Sequence, residues 1–192
     1  MVRLSRWLER ISRGWVTLAA MLIFLVFMPL VLPAQSARFE AVAGAGPSPD
    51  QSFLYAPADL YQMAESFGPA GRAAYVRARW TFDVIWPLVY TAALATTISW
   101  LGKRAFAEGS RWRLLNLAPI AGLLLDFGEN LCASIVMARY PAPTPVIDAL
   151  ATVFTPLKWV FVAGSFLALA GVAALALMRG IRMHRSRRAP SA

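Results

Sequence analysis

The sequence predicts an all-α membrane protein, a four-transmembrane-helix bundle with a partly helical outer loop. Three observations predict it. The chain of 192 residues is 58% hydrophobic and only 15% charged, with a mean hydropathy of +0.54, which is too apolar for an ordinary soluble domain. Three windows carry no charge at all, Gly14 to Ala37, Val84 to Gly102 and Trp159 to Met178, and each meets the roughly 20 residues needed to cross hydrocarbon. A fourth window, about Leu114 to Val136, has the same length but contains L-L-L-D-F-G-E-N-L. The third observation is charge placement. Of 19 basic residues, 13 fall in three groups: Arg3 to Arg13, Lys103 to Arg113, and Arg179 to Arg188. Those groups sit at alternate ends of the spans, so the positive-inside rule puts all three in the cytoplasm, together with both termini. The expected location is the bacterial inner (plasma) membrane, as a multi-pass protein.

The expected domain is single, residues 1–192, with spans at about 15–33, 82–101, 114–137 and 157–178, an outer loop at 38–79 and a basic cytoplasmic tail at 179–192. Residues 1–13 place arginine at every third or fourth position opposite Leu4, Trp7, Leu8 and Ile11, the pattern of a short amphipathic helix lying on the inner surface. The first span begins like a signal peptide. Its apolar core, Trp15 to Leu32, is long for one, and we expect a retained anchor with Pro29 and Pro33 accommodated near the helix end. In the outer loop, A-V-A-G-A-G-P-S-P-D is a turn-rich linker. Asp59 then serves as N-cap of a helix with Leu60, Met63 and Phe67 on one face and Gly68-Pro69 as its stop. Pro69 opens the next helix, expected to run without a break into span two, where Trp86-Pro87 gives a kink. Span four follows P-A-P-T-P, with an outer turn at 146–154 that Pro156 bends. Its Gly164, Ala168, Gly171 and Ala174 form a small-residue ridge suited to helix packing. Trp15, Trp100 and Trp112 at inner ends, and Trp80 and Trp159 at outer ends, agree with this orientation.

Composition also excludes functions. The positive charge is an orientation signal that meets anionic lipid, so nucleic acid is not an expected partner. A single cysteine, Cys132, allows no intramolecular disulfide or thiol pair. The only histidine, His184, lies in the charged tail, which excludes a Ser-His-Asp triad or a His-ligated metal within the membrane. No cofactor or metal is expected.

Charge inside the bilayer is costly and marks function or pairing. Asp126, Glu129 and Asn130 share one face of span three, with Glu129 about 4 to 5 Å further outward at 1.5 Å per residue. Asp83 and Lys158 stand near the outer ends of spans two and four. Arg72, Tyr75, Arg79 and Asp83 recur at helical spacing and predict one connected polar stripe descending from the outer surface. Three acids facing Lys158 and shallow arginines make Asp126 the one least served by a cation, and one turn from Glu129 the two carboxyls are expected to share a proton. Tyr75, Trp86 and Tyr90 are candidate walls of a ligand site.

The segments G-P-A-G-R-A-A-Y at 68–75, D-V-I-W-P-L-V-Y at 83–90 and P-I-A-G-L-L-L-D-F-G-E-N at 119–130 resemble the recurring pattern of small bacterial four-span membrane proteins, a resemblance that implies no activity. More loosely, the pattern of four helices with intramembrane acids is similar to the sterol-isomerase and sigma-2-receptor group, an analogy for ligand binding. Three readings stay open. The polar groups hold a structural or assembly subunit that presents its outer loop to a membrane-protein partner, the reading slightly favoured here. Alternatively they bind or transform a small hydrophobic or lipid ligand, or they relay protons in a carrier. Enzymatic activity is left open by the sequence.

Overall fold

The computed structural model describes residues 1–188, apart from the side chains of Asp50 and residues 185–188; the last part of the basic tail, 189–192, lies outside the described residues. Among the described residues seven α-helices follow in order: α1 (Val2–Ile11), α2 (Gly14–Ala43), α3 (Pro57–Ser66), α4 (Gly68–Arg79), α5 (Phe82–Ala105), α6 (Ala118–Arg139) and α7 (Pro145–Arg188), with short 3-10 turns at Pro49–Gln51 and Arg111–Leu117. Four helical stretches are long and apolar enough to span a membrane. The architecture is that of a polytopic membrane bundle.

Helices α5 and α6 form the centre. The α6–α7 contact is antiparallel and its register is set by small residues on α6. Thr155 faces Glu129, Lys158 faces Asp126, and Val162 faces Gly122. A Cβ added at Gly122 would come within 3.2 Å of Val162, and one at Gly128 within 3.2 Å of the Phe154 ring. The absence of these two side chains lets the helices approach. The ridge expected to pack, Gly164 to Ala174, does so only in part: Ala168 packs against the cluster around Tyr90 and Leu94, whereas among the described residues a Cβ at Gly164 or Gly171 meets nothing within 4 Å. Val162, Ser165 and Val172 lie inward on α7 instead. Helix periodicity identifies a small-residue face but does not say which neighbour reaches it.

Helix α2 packs along α5 through an aromatic ladder, with Phe24 and Phe27 stacked on Trp86 at 5.8 and 5.7 Å, and Phe27 on Phe82 at 5.8 Å. The helix has 30 residues and continues through Pro29 and Pro33 to Ala43, so the prolines are interior and the expected linker starts later, at Gly44. Each proline removes one backbone hydrogen bond, but in an apolar setting no solvent competes for the remainder and the helix persists. At about 1.5 Å per residue α2 is roughly 45 Å long. Its far end leans on α4, where a Cβ on Gly71 would meet Ala43 Cα at 3.0 Å.

Other expectations are corrected in detail. Helix α3 starts two residues before Asp59; Ala56 is the N-cap residue, and Asp59 Oδ2 accepts from the Ala56 N–H at 2.8 Å. The acidic side chain thus satisfies the helix start from inside its first turn. The path from Pro69 into span two does break, at Trp80 and Thr81, where Thr81 Oγ1 donates to Arg77 O at 2.7 Å. Helix α7 is continuous from Pro145, so residues 146–154 are its first turns and Pro156 is interior. Helix α1 turns Ser5 and Leu8 toward the bundle, with Ser12 buried just beyond its end, and leaves Leu4, Trp7 and Ile11 exposed. Polar pairing decides this, since Lys103 Nζ donates to Glu9 O at 2.6 Å and Ser12 O at 2.9 Å.

Candidate functional site

The acids of α6 meet α7 in a closed polar cluster. Lys158 Nζ lies 3.6 Å from Asp126 Oδ1 and pairs more closely with Glu129 Oε2. Tyr90 OH donates to Asp126 Oδ2 at 3.3 Å, and Thr155 Oγ1 donates to Glu129 Oε1 at 2.8 Å. Tyr55 OH, carried by the chain entering α3, lies 3.0 Å from the same threonine oxygen. Asp126 is 8% exposed, Glu129 0% and Lys158 6%. Asp126 is, as expected, the acid least served by a cation, yet it is not without one, since Lys158 reaches it at 3.6 Å while pairing more closely with Glu129. Lys158 stands opposite it because the close α6–α7 approach fixes the register. One lysine serves two carboxylates, and every helix of the central packing contributes a side chain, so the cluster is a fastener tying α5, α6, α7 and the loop before α3.

Asn130 shares this face of α6 and is 3% exposed, yet neither its Oδ1 nor its Nδ2 has a hydrogen-bond partner among the described residues. Ser134 Oγ, one turn on, is buried in the same condition. Buried polar atoms of this kind are uncommon, and each costs about 1–3 kcal/mol when left unsatisfied.

The stripe expected on α4 and α5 divides. Arg79 Nε lies 2.9 Å from Asp83 Oδ2, and the guanidinium sits 4.5 Å from the Tyr75 ring centroid. This pair bridges the break between α4 and α5, joining the last residue of one to the second of the other. Arg72 turns away, donating to Ala64 O at 2.8 Å and stacking over Tyr140 at 4.6 Å. It belongs to the packing of α3 on the α6–α7 turn.

A cavity of about 730 Å3 opens where the projecting end of α2 diverges from the α4–α5 junction. Its apolar side is made by Leu32, Phe39, Phe82 and Trp86. Its polar side carries Arg38, Arg77, Arg79 and Asp83 together with Gln35 and Gln51. Trp159 closes one end, held by an indole N–H donated to Ser52 O at 3.1 Å. Of the three expected walls, Trp86 lines this cavity. Tyr75 does not, being fully buried between Phe39, Phe67 and Arg79, and Tyr90 does not, since it is engaged with Asp126.

Sequence reasoning missed Tyr55, Thr155 and a second junction in which Tyr61 OH donates to Asp148 Oδ2 at 2.9 Å and accepts from the Thr144 N–H at 2.7 Å. Thr155 was findable: it precedes Lys158 by three positions and so shares its helix face. Tyr55 and Tyr61 come from the loop before α3 and from α3 itself, whose return path onto the bundle no local pattern encodes. No group of three or more His, Cys, Asp or Glu side chains gathers among the described residues.

Fold and site together define a polytopic membrane protein with a closed ionic core and a separate, laterally placed cavity of mixed polarity. No protein-family model, curated protein or solved structure matches the chain.

Proposed function

We propose that this is a bacterial inner-membrane protein, both termini cytoplasmic, that binds a small hydrophobic or lipid ligand in the cavity between α2, α4 and α5. The observation that carries the reading is the cavity itself. Its volume of about 730 Å3 falls in the range of small-molecule sites, and its lining combines aromatic walls with a few convergent polar groups. In the proposed orientation the cavity stands in the outer half of the membrane, at the level where Trp80 and Trp159 sit. The ionic core supports this function indirectly, by holding the helices that form the walls. The acids themselves are packed against Lys158, Tyr90 and Thr155 and are not part of the cavity lining.

Native mass spectrometry of the full chain, released from a mild detergent, tests the reading. A retained lipid-sized mass is expected in the wild type and is expected to be lost in Ala74→Trp, which fills the cavity from α4. Absence of any retained mass, or retention indifferent to Ala74→Trp, overturns it.

A second reading, an assembly role, is favoured by one observation: the ridge of Gly164, Ala168, Gly171 and Ala174 has no neighbour over its glycines among the described residues, and such ridges suit close contact with another membrane helix. Disulfide trapping through a cysteine at Gly171 distinguishes it, a cross-linked species being expected only if another helix lies there.

A further inference from the structure

Six basic residues lie outside the three terminal and inner clusters: Arg38, Arg72, Arg77, Arg79, Arg139 and Lys158. On the proposed outer side of the membrane, each runs against the usual charge bias. Three have a structural explanation. Lys158 holds the acids, Arg72 holds Ala64 O and the Tyr140 ring, and Arg79 holds Asp83. Of the other three, Arg139 ends α6, and both Arg38 and Arg77 line the cavity. Arg38 makes only a 3.4 Å contact with Gln35 Oε1, and Arg77 has no side-chain ion pair or hydrogen bond among the described residues.

Two separate helices thus deliver arginines to one cavity that is also lined by Leu32, Phe82 and Trp86. Among the described lining residues, three arginines stand against the single carboxylate of Asp83, a net excess of two positive charges. Guanidinium groups on a cavity rim match phosphate or carboxylate oxygens, which they can hold through paired N–H donors. An apolar floor beside that rim excludes a fully hydrated anion as the natural occupant, because the aromatic surface would stay wet.

Resting on the reading that this cavity binds a ligand, we infer that the ligand is an anionic amphiphile, its phosphate or carboxylate headgroup held by Arg38 and Arg77 and its chain laid along Trp86, Phe82 and Leu32. Arg79 stays with Asp83 and places a third guanidinium behind the headgroup. Both headgroup arginines lie on exposed surface at the rim, so the ligand enters sideways from the lipid or from the aqueous face without opening the bundle.

The test measures retention on the full chain, by native mass spectrometry from a neutral detergent, of phosphatidic acid, palmitate, diacylglycerol and inorganic phosphate. Phosphatidic acid or palmitate is expected to be retained at least about tenfold better than diacylglycerol, the typical worth of one charge-assisted hydrogen bond. Whichever anion binds identifies the headgroup class. The double variant Arg38→Gln/Arg77→Gln, whose melting temperature is expected to match the wild type because both side chains are exposed, should lose that preference while still retaining diacylglycerol. Equal retention of diacylglycerol and the anionic lipids, in wild type and variant alike, overturns the headgroup assignment and leaves the cavity reading standing. Inorganic phosphate bound as tightly as phosphatidic acid overturns the amphiphile. Retention of no lipid, neutral or anionic, removes the cavity reading and this one with it.

Discussion

Removing the ammonium of Lys158 while keeping its aliphatic stem, as in Lys158→Met, isolates the electrostatic role of the ionic core. At an effective dielectric constant of about 20, unit charges at the 3.6 Å separation of Lys158 and Asp126 attract by about 5 kcal/mol, and the closer Glu129 adds to this. Much of that attraction only offsets the cost of taking the charges out of water. Losing one partner leaves the others buried and uncompensated, for a net loss of about 3–5 kcal/mol. For a chain of this size such a loss lowers the melting temperature by roughly 6 to 20 °C. The single cysteine supplies the assay: Cys132 is buried, at 4% exposure, so the temperature at which a fluorogenic maleimide reacts in detergent reports opening of the core. Replacing all three charges, as Lys158→Met with Asp126→Leu and Glu129→Gln, is expected to recover most of the loss, because the penalty comes from imbalance and not from absent attraction. The reasoning is refuted if Lys158→Met reacts within a degree or two of the wild type, or if the triple variant is no more stable than the single one.

In a Cys132→Ala background, cysteines placed at Pro47 and Glu108 should respectively react and fail to react with an impermeant label applied to intact cells; the reverse pattern inverts the proposed orientation. Arg79 and Asp83 should show a coupling of about 1–3 kcal/mol in a double-mutant cycle of thermal stability, since they hold α4 to α5 across the break, and strictly additive losses would count against that. Gly128→Val should destabilise by about 1–3 kcal/mol through overpacking against Phe154, whereas Gly171→Ala should change stability little; equal effects would contradict the packing described for α6 and α7. Asn130→Leu should leave stability unchanged or raise it by about 1–3 kcal/mol, because it removes buried polar atoms that have no partner among the described residues. A clear destabilisation would show that Asn130 is satisfied by a group outside it.

The four spans were legible because each is a local property, an apolar run of sufficient length that is uncharged in three cases and carries two acids in the fourth, and their expected alternation followed from where the arginines cluster. The acids on α6 were legible as a shared face because helical periodicity carries that information. Lys158 was legible as a cation those acids face, but its reach to Asp126 was not. Lys158 meets Asp126 only when α7 slides to the register that Gly122 and Gly128 allow, and that depends on residues some thirty positions away along the chain. The cavity was half legible: Trp86 was singled out as a wall, but Arg38 and Arg77 were not, since α2 was expected to end before Arg38. Once α2 is seen to run to Ala43, Arg38 occupies a rigid position beside α4. The break at Trp80 and Thr81 escaped because neither residue is a helix breaker, and the ion pair spanning it makes the two segments read as one.

The seating of α1 fixes an order of events in biosynthesis. Its polar attachments are all distant in the chain: Asn116 Nδ2 donates to Ser5 O across 111 positions, Arg113 pairs with Glu9 across 104, and Lys103 reaches Glu9 O across 94. When α1 leaves the ribosome none of those residues has been made, and the helix has nothing to dock on until the second span is inserted and the turn after it has emerged. A segment made before all of its partners is therefore among the last to settle. Until then its arginines are engaged only with water and lipid headgroups, free to hold the nascent chain at the membrane surface, and the later docking converts that temporary tether into a latch across the finished bundle.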